Sequence, residues 1–202
     1  QTALVTGAAT GIGRAIALMF SQAGGRVVVN HLRQAEAAQA LVQAMPPGAV
    51  ITDMGSVKAP VAAALASRLP RFVPSHPMAG TAAAGVEAGV AGLFQGRPWV
   101  ISPSGQEDST AVELVEALAL ALGAKPVYCD AKAHDQAVAL ISHLPVLAGA
   151  ALLQSAATGG HLARQLASSG FADTTRVGGG NPQLGRLIAQ SNRVALMAAL
   201  DS

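Results

Sequence analysis

Residues 2–6 form a short apolar run that empties into Gly7-Ala8-Ala9-Thr10-Gly11-Ile12-Gly13, and apolar residues at helical spacing (Ile16, Met19, Phe20) follow at once. No other feature restricts the fold as much. A strand, a glycine turn and a helix in that order open a parallel βαβ unit, because glycine makes the tight turn at no steric cost. The helix stops at Gly24-Gly25, a natural C-terminal cap. Strands are then expected over residues 26–30, 49–53, 72–75, 98–102 and 126–129, with helices over 35–45, 61–69 and 111–122. Alternation of this kind predicts an α/β fold with a doubly wound parallel sheet. From His134 onward strand signals fade and helical patterns take over, broken by Gly178-Gly179-Gly180-Asn181-Pro182. Two domains are expected, residues 1–130 and a smaller all-α domain over 131–202.

Hydrophobic residues are 51% and charged residues 12%, which calls for a sizeable core and argues against disorder. Aromatics are only 3%, so that core must be Ala, Val and Leu. Lys and Arg number 13 against 11 Asp and Glu, without a basic run or interleaved aromatics, and no nucleic-acid partner is expected. The lone Cys129 cannot form an intramolecular disulfide and fits a reducing, cytoplasmic setting. No signal peptide is expected at the N-terminus. Residues 137–153 are the most membrane-like, but Ser142, His143 and Pro145 interrupt them and they fall short of the roughly 20 apolar residues of a span. They are read as a buried helix at a subunit interface, with no membrane partner and no metal site.

A strand, a glycine turn and a helix N-terminus together seat a pyrophosphate, since the turn lets the backbone approach and the helix supplies N–H donors. This is the reason to expect a Rossmann-like, dinucleotide-binding first domain. The spacing Gly7-x-x-x-Gly11-Ile12-Gly13 resembles the Thr-Gly-x-x-x-Gly-Ile-Gly loop of short-chain dehydrogenases, and residues 2–45 read like that family's first half-unit. Strand two ends in Asn30-His31-Leu32-Arg33 with no acid to hold a ribose 2′-OH, so NADP is expected in preference to NAD, with Arg33 on the 2′-phosphate. The expected cofactor contacts are Gly7, Gly11, Ile12, Gly13 and Arg33, with Asp53 near the adenine.

From Ile51 onward a second set of words stands in order. They are Thr52-Asp53-Met54-Gly55-Ser56-Val57-Lys58, Ser75-His76-Pro77-Met78-Ala79-Gly80-Thr81, Gly92-Leu93-Phe94 leading to Arg97-Pro98-Trp99-Val100, His134-Asp135-Gln136-Ala137-Val138-Ala139, Ile141-Ser142-His143-Leu144-Pro145 and Ala167-Ser168-Ser169-Gly170-Phe171-Ala172-Asp173-Thr174-Thr175-Arg176. This part of the chain resembles the prephenate/arogenate dehydrogenases of tyrosine biosynthesis. The resemblance implies an NADP-dependent oxidative decarboxylation: hydride leaves a carbinol carbon for the nicotinamide, the hydroxyl loses its proton, carbon dioxide departs and the ring becomes aromatic. A neutral imidazole suits the hydroxyl proton and a guanidinium suits a carboxylate. By resemblance, His76 is the proton acceptor and Ser56 aligns the hydroxyl. Arg176 binds carboxylate, His143 lines the same pocket, and Lys58, Gly80 and Thr81 contact substrate. Lys58 has the alternative of a solvated helix-start lysine, and His134 is expected to cap its helix or lie on the surface. The resemblance also implies a homodimer through the helical domain.

The chain departs from that family in two places. Members normally open with their own G-x-G-x-x-G loop, where residues 1–47 here are of short-chain-dehydrogenase type. Members continue through further dimerising helices beyond the point that corresponds to Asp201-Ser202, which suggests a composite, truncated chain. One alternative is therefore a short-chain reductase, whose signature is Tyr-x-x-x-Lys on a helix. Tyr128 and Lys132 have that spacing, but Tyr128 closes a strand and no serine stands at the right distance. The other alternative is a composite that binds nucleotide without turning over a substrate.

Overall fold

A computed structural model of the chain describes residues 2–6, 18–19, 22, 26–30, 48–80 and 90–202. Two parallel strands stand first, β1 (Thr2–Thr6) and β2 (Arg26–Asn30), paired from Thr2 opposite Arg26 to Thr6 opposite Asn30. A second sheet runs in the order β3 (Ile51–Asp53), β4 (Phe72–Pro77), β5 (Pro98–Ile101), β6 (Lys125–Tyr128). The β3–β4 and β5–β6 pairings are parallel, and the β4–β5 pairing is antiparallel. The sheet is therefore parallel in the main, as expected, with one antiparallel step between β4 and β5. A parallel neighbour needs a crossover, usually a helix. Ahead of β5, residues 91–96 form turns, with Gly92 and Gly96 at positive φ.

Strand β4 carries two prolines between two neighbours. Pro74 stands opposite Asp53 of β3, and Pro77 opposite Trp99 of β5. Neither has an N–H to give, yet Pro74 still accepts from Ser102 N at 2.9 Å.

Helix α1 (Ala59–Leu65) starts with Pro60 in its first turn, where a missing N–H costs nothing. Helix α2 (Ser109–Ala121) is capped by Asp108, whose carboxylate accepts from Thr110 N, and is followed by Gly123 at φ +75°. Its residues Ala111, Val115 and Ala119, four apart, make the buried stripe expected of an amphipathic helix. They pack with Val50, Val73, Trp99, Ile101 and Ala124 into a core. Trp99 and Ile101 are fully buried, so β5 supplies its centre.

The rest is helical: α3 (Ala131–Val138), a π-turn (Ala139–His143), α4 (Leu144–Thr158), α5 (Gly160–Leu166), α6 (Ser169–Thr175), α7 (Pro182–Ser191) and α8 (Arg193–Leu200). The chain sorts into two compact units. One is Gln1–Ala79 with Gly92–His134, the other Gly80–Ala91 with Asp135–Ser202. By compactness the division falls inside α3, between His134 and Asp135.

From α3 through α4 the helix is continuous over Ala131–Thr158, 28 residues, and is long and apolar enough by length and composition to cross a membrane. That corrects the expectation of a span cut short. Pro145 takes a first-turn position after the π-turn, where a proline does not stop a helix. Only 22% of its most apolar window is buried within the chain.

In the second unit, Asn192 at the start of α8 is buried and donates to Asp135 O at 2.7 Å. The loop after α6 meets α4 backbone to backbone. A Cβ on Gly178 would lie 2.1 Å from Ala150 N, and one on Gly149 would lie 3.0 Å from Gly178 N. This close approach is why that loop needs glycine.

Candidate active site

The end of β3, the bend after it and the start of α1 bring Asp53, Gly55 and Lys58 against Ser75 of β4. The Lys58 ammonium is wholly buried; it forms an ion pair with Asp53 Oδ2 and donates to Ser75 O at 2.7 Å. Asp53 also accepts from Gly55 N (3.1 Å) and, through Oδ1, from Ser75 N (3.3 Å). Ser75 Oγ donates to Asp53 O at 2.9 Å, lies 2.8 Å from Thr52 Oγ1 and accepts from the Trp99 indole N–H at 3.1 Å. Each polar group of this cluster is answered from within the unit. The structure therefore corrects the alternative of a solvated Lys58, because Asp53 and a backbone carbonyl take its charge in a buried setting. Asp53 turns its carboxylate to Lys58 and two amides.

Side chains alternate along a strand. Ser75 therefore sends its hydroxyl into the core while the next residue, His76, faces the other way and is half-buried. His76 stands opposite Val100 of β5 in the antiparallel ladder. Its Nδ1 lies 2.9 Å from Nε2 of His134, with ring centroids 5.1 Å apart and planes at 77°. His134 is only 2% exposed. The expectation that His134 caps its helix or lies on the surface is thus wrong. Asp130 is the cap, accepting from Lys132 N and Ala133 N. His134 is the site residue that motif reading missed. The available signal is periodic: His134 and Val138, one turn apart on the same helical face, are both buried.

Ser56 lies half-buried in the bend between β3 and α1. Gly80 is exposed, with open space where a Cβ would stand. In the second unit, His143 closes the π-turn at 1% exposure, its Nδ1 3.1 Å from Asn192 Nδ2. Arg176 caps the C-terminus of α6, exposed and without an ion pair among the described residues. A groove of about 680 Å³ in that unit is lined by Leu153, Ala157, Leu166, Phe171 and neighbours, and touches none of the candidate residues. Gly7, Gly11, Ile12, Gly13, Arg33 and Thr81 lie outside the described residues. What is described around the glycine loop fits a dinucleotide: β1 and β2 are parallel and end level, at Thr6 and Asn30, and such ligands bind beyond the carboxyl ends of parallel strands. The short-chain signature does not assemble. Tyr128 sits on β6 and Lys132 on α3, and burial, with Glu116 beside it, raises the Tyr128 phenol above its ordinary value rather than activating it.

Residues 31–128 match the family description "prephenate dehydrogenase, nucleotide-binding domain", and residues 130–202 match "prephenate dehydrogenase, dimerization domain". The chain is 33% identical over 170 residues to cyclohexadienyl dehydrogenase of Zymomonas mobilis, covering 81% of this chain and 58% of that protein. Among solved structures it is similar to arogenate dehydrogenase of Synechocystis (31% identity, TM-score 0.72, 100% of this chain and 87% of that one). In fold it also resembles prephenate dehydrogenase of A. aeolicus, solved with hydroxyphenyl propionate and NAD+ (23% identity, TM-score 0.81, 100% and 86%). A shorter match, 43% over 61 residues, is to trihydroxynaphthalene reductase of Colletotrichum orbiculare, covering 30% of this chain and 21% of that protein.

Proposed function

The chain belongs to the prephenate dehydrogenase family, and from that premise we propose that it oxidises and decarboxylates arogenate or prephenate with NADP. The observation that carries the reading is His76, half-buried on β4 with one ring nitrogen held by His134. An imidazole so fixed can take a proton at its other nitrogen. NADP, when bound, supplies the carbon that receives hydride. The chain's own residues manage the rest. His76 takes the hydroxyl proton as the carbinol C–H electron pair leaves, and Ser56 hydrogen-bonds the same oxygen. The electrons of the breaking carboxylate bond enter the ring as carbon dioxide departs. Arg176 binds a substrate carboxylate, His143 lines the substrate pocket, and Gly80 and Thr81 contact the substrate. Gly7, Gly11, Ile12 and Gly13 would hold the cofactor phosphates, and Arg33 would take the 2′-phosphate.

The protein works as a homodimer in the cytoplasm. Leu152, Leu162 and Leu166 of the second unit are exposed, which fits a face that a partner covers. A second copy is the occupant that the family's dimerization domain suggests, in preference to lipid against Ala131–Thr158. The test is absorbance at the reduced-nicotinamide band with arogenate and prephenate, each with NADP and NAD. Turnover should be fastest with NADP; silence in every combination would overturn the reading.

A further inference from the structure

Resting on that reading, we propose that His134 is a positioning residue: its Nε2 accepts the Nδ1 proton of His76 and so holds His76 in the tautomer whose Nε2 is the base. Two nitrogens 2.9 Å apart share one proton. In one arrangement His134 donates, Nδ1 of His76 accepts, and Nε2 of His76 already carries hydrogen. An imidazole in that state cannot receive the hydroxyl proton there. In the other arrangement His76 donates from Nδ1, and Nε2 has its lone pair ready. Only the second suits a proton acceptor.

The surroundings favour a fixed partner. His134 is 2% exposed, so water does not compete for the bond. It sits one turn into α3, behind the Asp130 cap, and its backbone N–H donates to Asp130 O at 3.0 Å. His76 is held from the opposite side by its pairing with Val100. The ring of His134 thus comes from a capped helix, and the ring of His76 from a strand inside a sheet. The pair is thus held together by two fixed elements, and the choice between the two arrangements is only which nitrogen of this contact carries the proton.

The arrangement also supports the product of proton transfer. When Nε2 of His76 takes the substrate proton, the ring becomes a cation and its Nδ1–H bond to His134 becomes charge-assisted, hence stronger. An orienting carboxylate plays this part in hydrolytic triads. A neutral imidazole would support the cation while letting the proton leave again.

The experiment compares the wild type with His134→Leu and His134→Gln. The tautomer of His76 is read from nitrogen-15 imidazole spectra of the protein with no substrate or cofactor added. The wild type should show His76 protonated at Nδ1. His134→Leu should shift it toward the Nε2-protonated form, while His134→Gln, whose amide oxygen can accept, should retain Nδ1–H. In turnover, His134→Leu should lose about 10²-fold in kcat with KM unchanged, within the range for general-base function, and His134→Gln should recover most of it. Trp99 fluorescence checks that each variant folds; if His134→Leu does not, the wild-type and Gln spectra decide. Nε2-protonated His76 in the wild type, or a tautomer indifferent to His134→Leu, would overturn the proposal. If the wild type turns over neither substrate, the dehydrogenase reading falls, and the spectra still decide whether His134 sets the tautomer.

Discussion

Replacing Lys58 by Met should destabilise the first unit severely. The methionine fills most of the lysine's volume, so packing changes little. What changes is charge: Asp53, 6% exposed, keeps its carboxylate and loses its cation, and Ser75 O loses a donor. Breaking a buried pair from one side costs about 3–5 kcal/mol. Taking ~4 kcal/mol and a urea dependence of ~2 kcal/mol per molar, the unfolding midpoint should fall by about 2 M. The assay is urea unfolding followed by fluorescence of Trp99, the only tryptophan. Its indole N–H bonds to Ser75 Oγ, so the probe reports on the cluster being perturbed. Adding Asp53→Asn to Lys58→Met removes the stranded charge and should recover part of the loss. A midpoint shift worth less than about 1 kcal/mol, the value of an exposed pair, together with a raised KM would refute the reasoning and return Lys58 to the substrate.

His76→Asn should lower kcat by about 10²–10⁴-fold, the worth of a general base, while nucleotide binding measured by calorimetry stays intact; near wild-type turnover would remove His76 from its role. Arg33→Ala should weaken NADP and leave NAD unchanged in the same titration, and equal affinities before and after would end that claim. Gly178→Ala forces a Cβ against the backbone of α4 and should cost about 1–3 kcal/mol as overpacking. Gly180→Ala, whose nearest neighbour is 3.6 Å away, should be tolerated, and thermal unfolding read by helix dichroism separates the two. The hydroxyl of Thr110, with backbone N–H groups and Arg71, holds the Asp108 carboxyl below its ordinary value. A depressed carboxyl stabilises the fold above its unfolded pKa of about 4 and loses that contribution as pH falls through the lower, folded value. Wild type should therefore exceed Asp108→Ala in unfolding midpoint at neutral pH, with the difference shrinking in acid; a difference that grew in acid would contradict this.

Much of the architecture was legible because it rests on periodicity and punctuation. Ala111, Val115 and Ala119 announce a helix face, Gly123 ends it, and short apolar runs mark β3 through β6. Features set by partners distant in sequence were harder to read. The antiparallel step at β4–β5 depends on the path between Pro77 and Pro98, which carries no clear period. Lys58 reads as solvated because nothing local says that Asp53 folds back onto it and that Ser75, 17 residues on, offers a carbonyl. Pro145 looks like a helix breaker until the π-turn before it is known. His134 and His76 are 58 residues apart, and a contact of that range has no trace in either neighbourhood. His76 itself was legible because its neighbours form a recognisable word, whereas its partner's role came only with the contact.

Strand β4 leaves the protein little freedom to vary its base independently of its stability. Ser75 and His76 are adjacent, one facing the hydrogen-bonded core and the other the imidazole pair, and Pro74 and Pro77 bracket them without donors of their own. Moving the strand by one residue would turn His76 inward, expel the Ser75 hydroxyl from Thr52 and Trp99, and set the prolines where amides are needed. Insertions or deletions within Phe72–Pro77 should therefore abolish folding and chemistry together. A core substitution that tilts β4 will move His76 with it, so stabilising changes near Ser75 need to be judged by turnover as much as by melting.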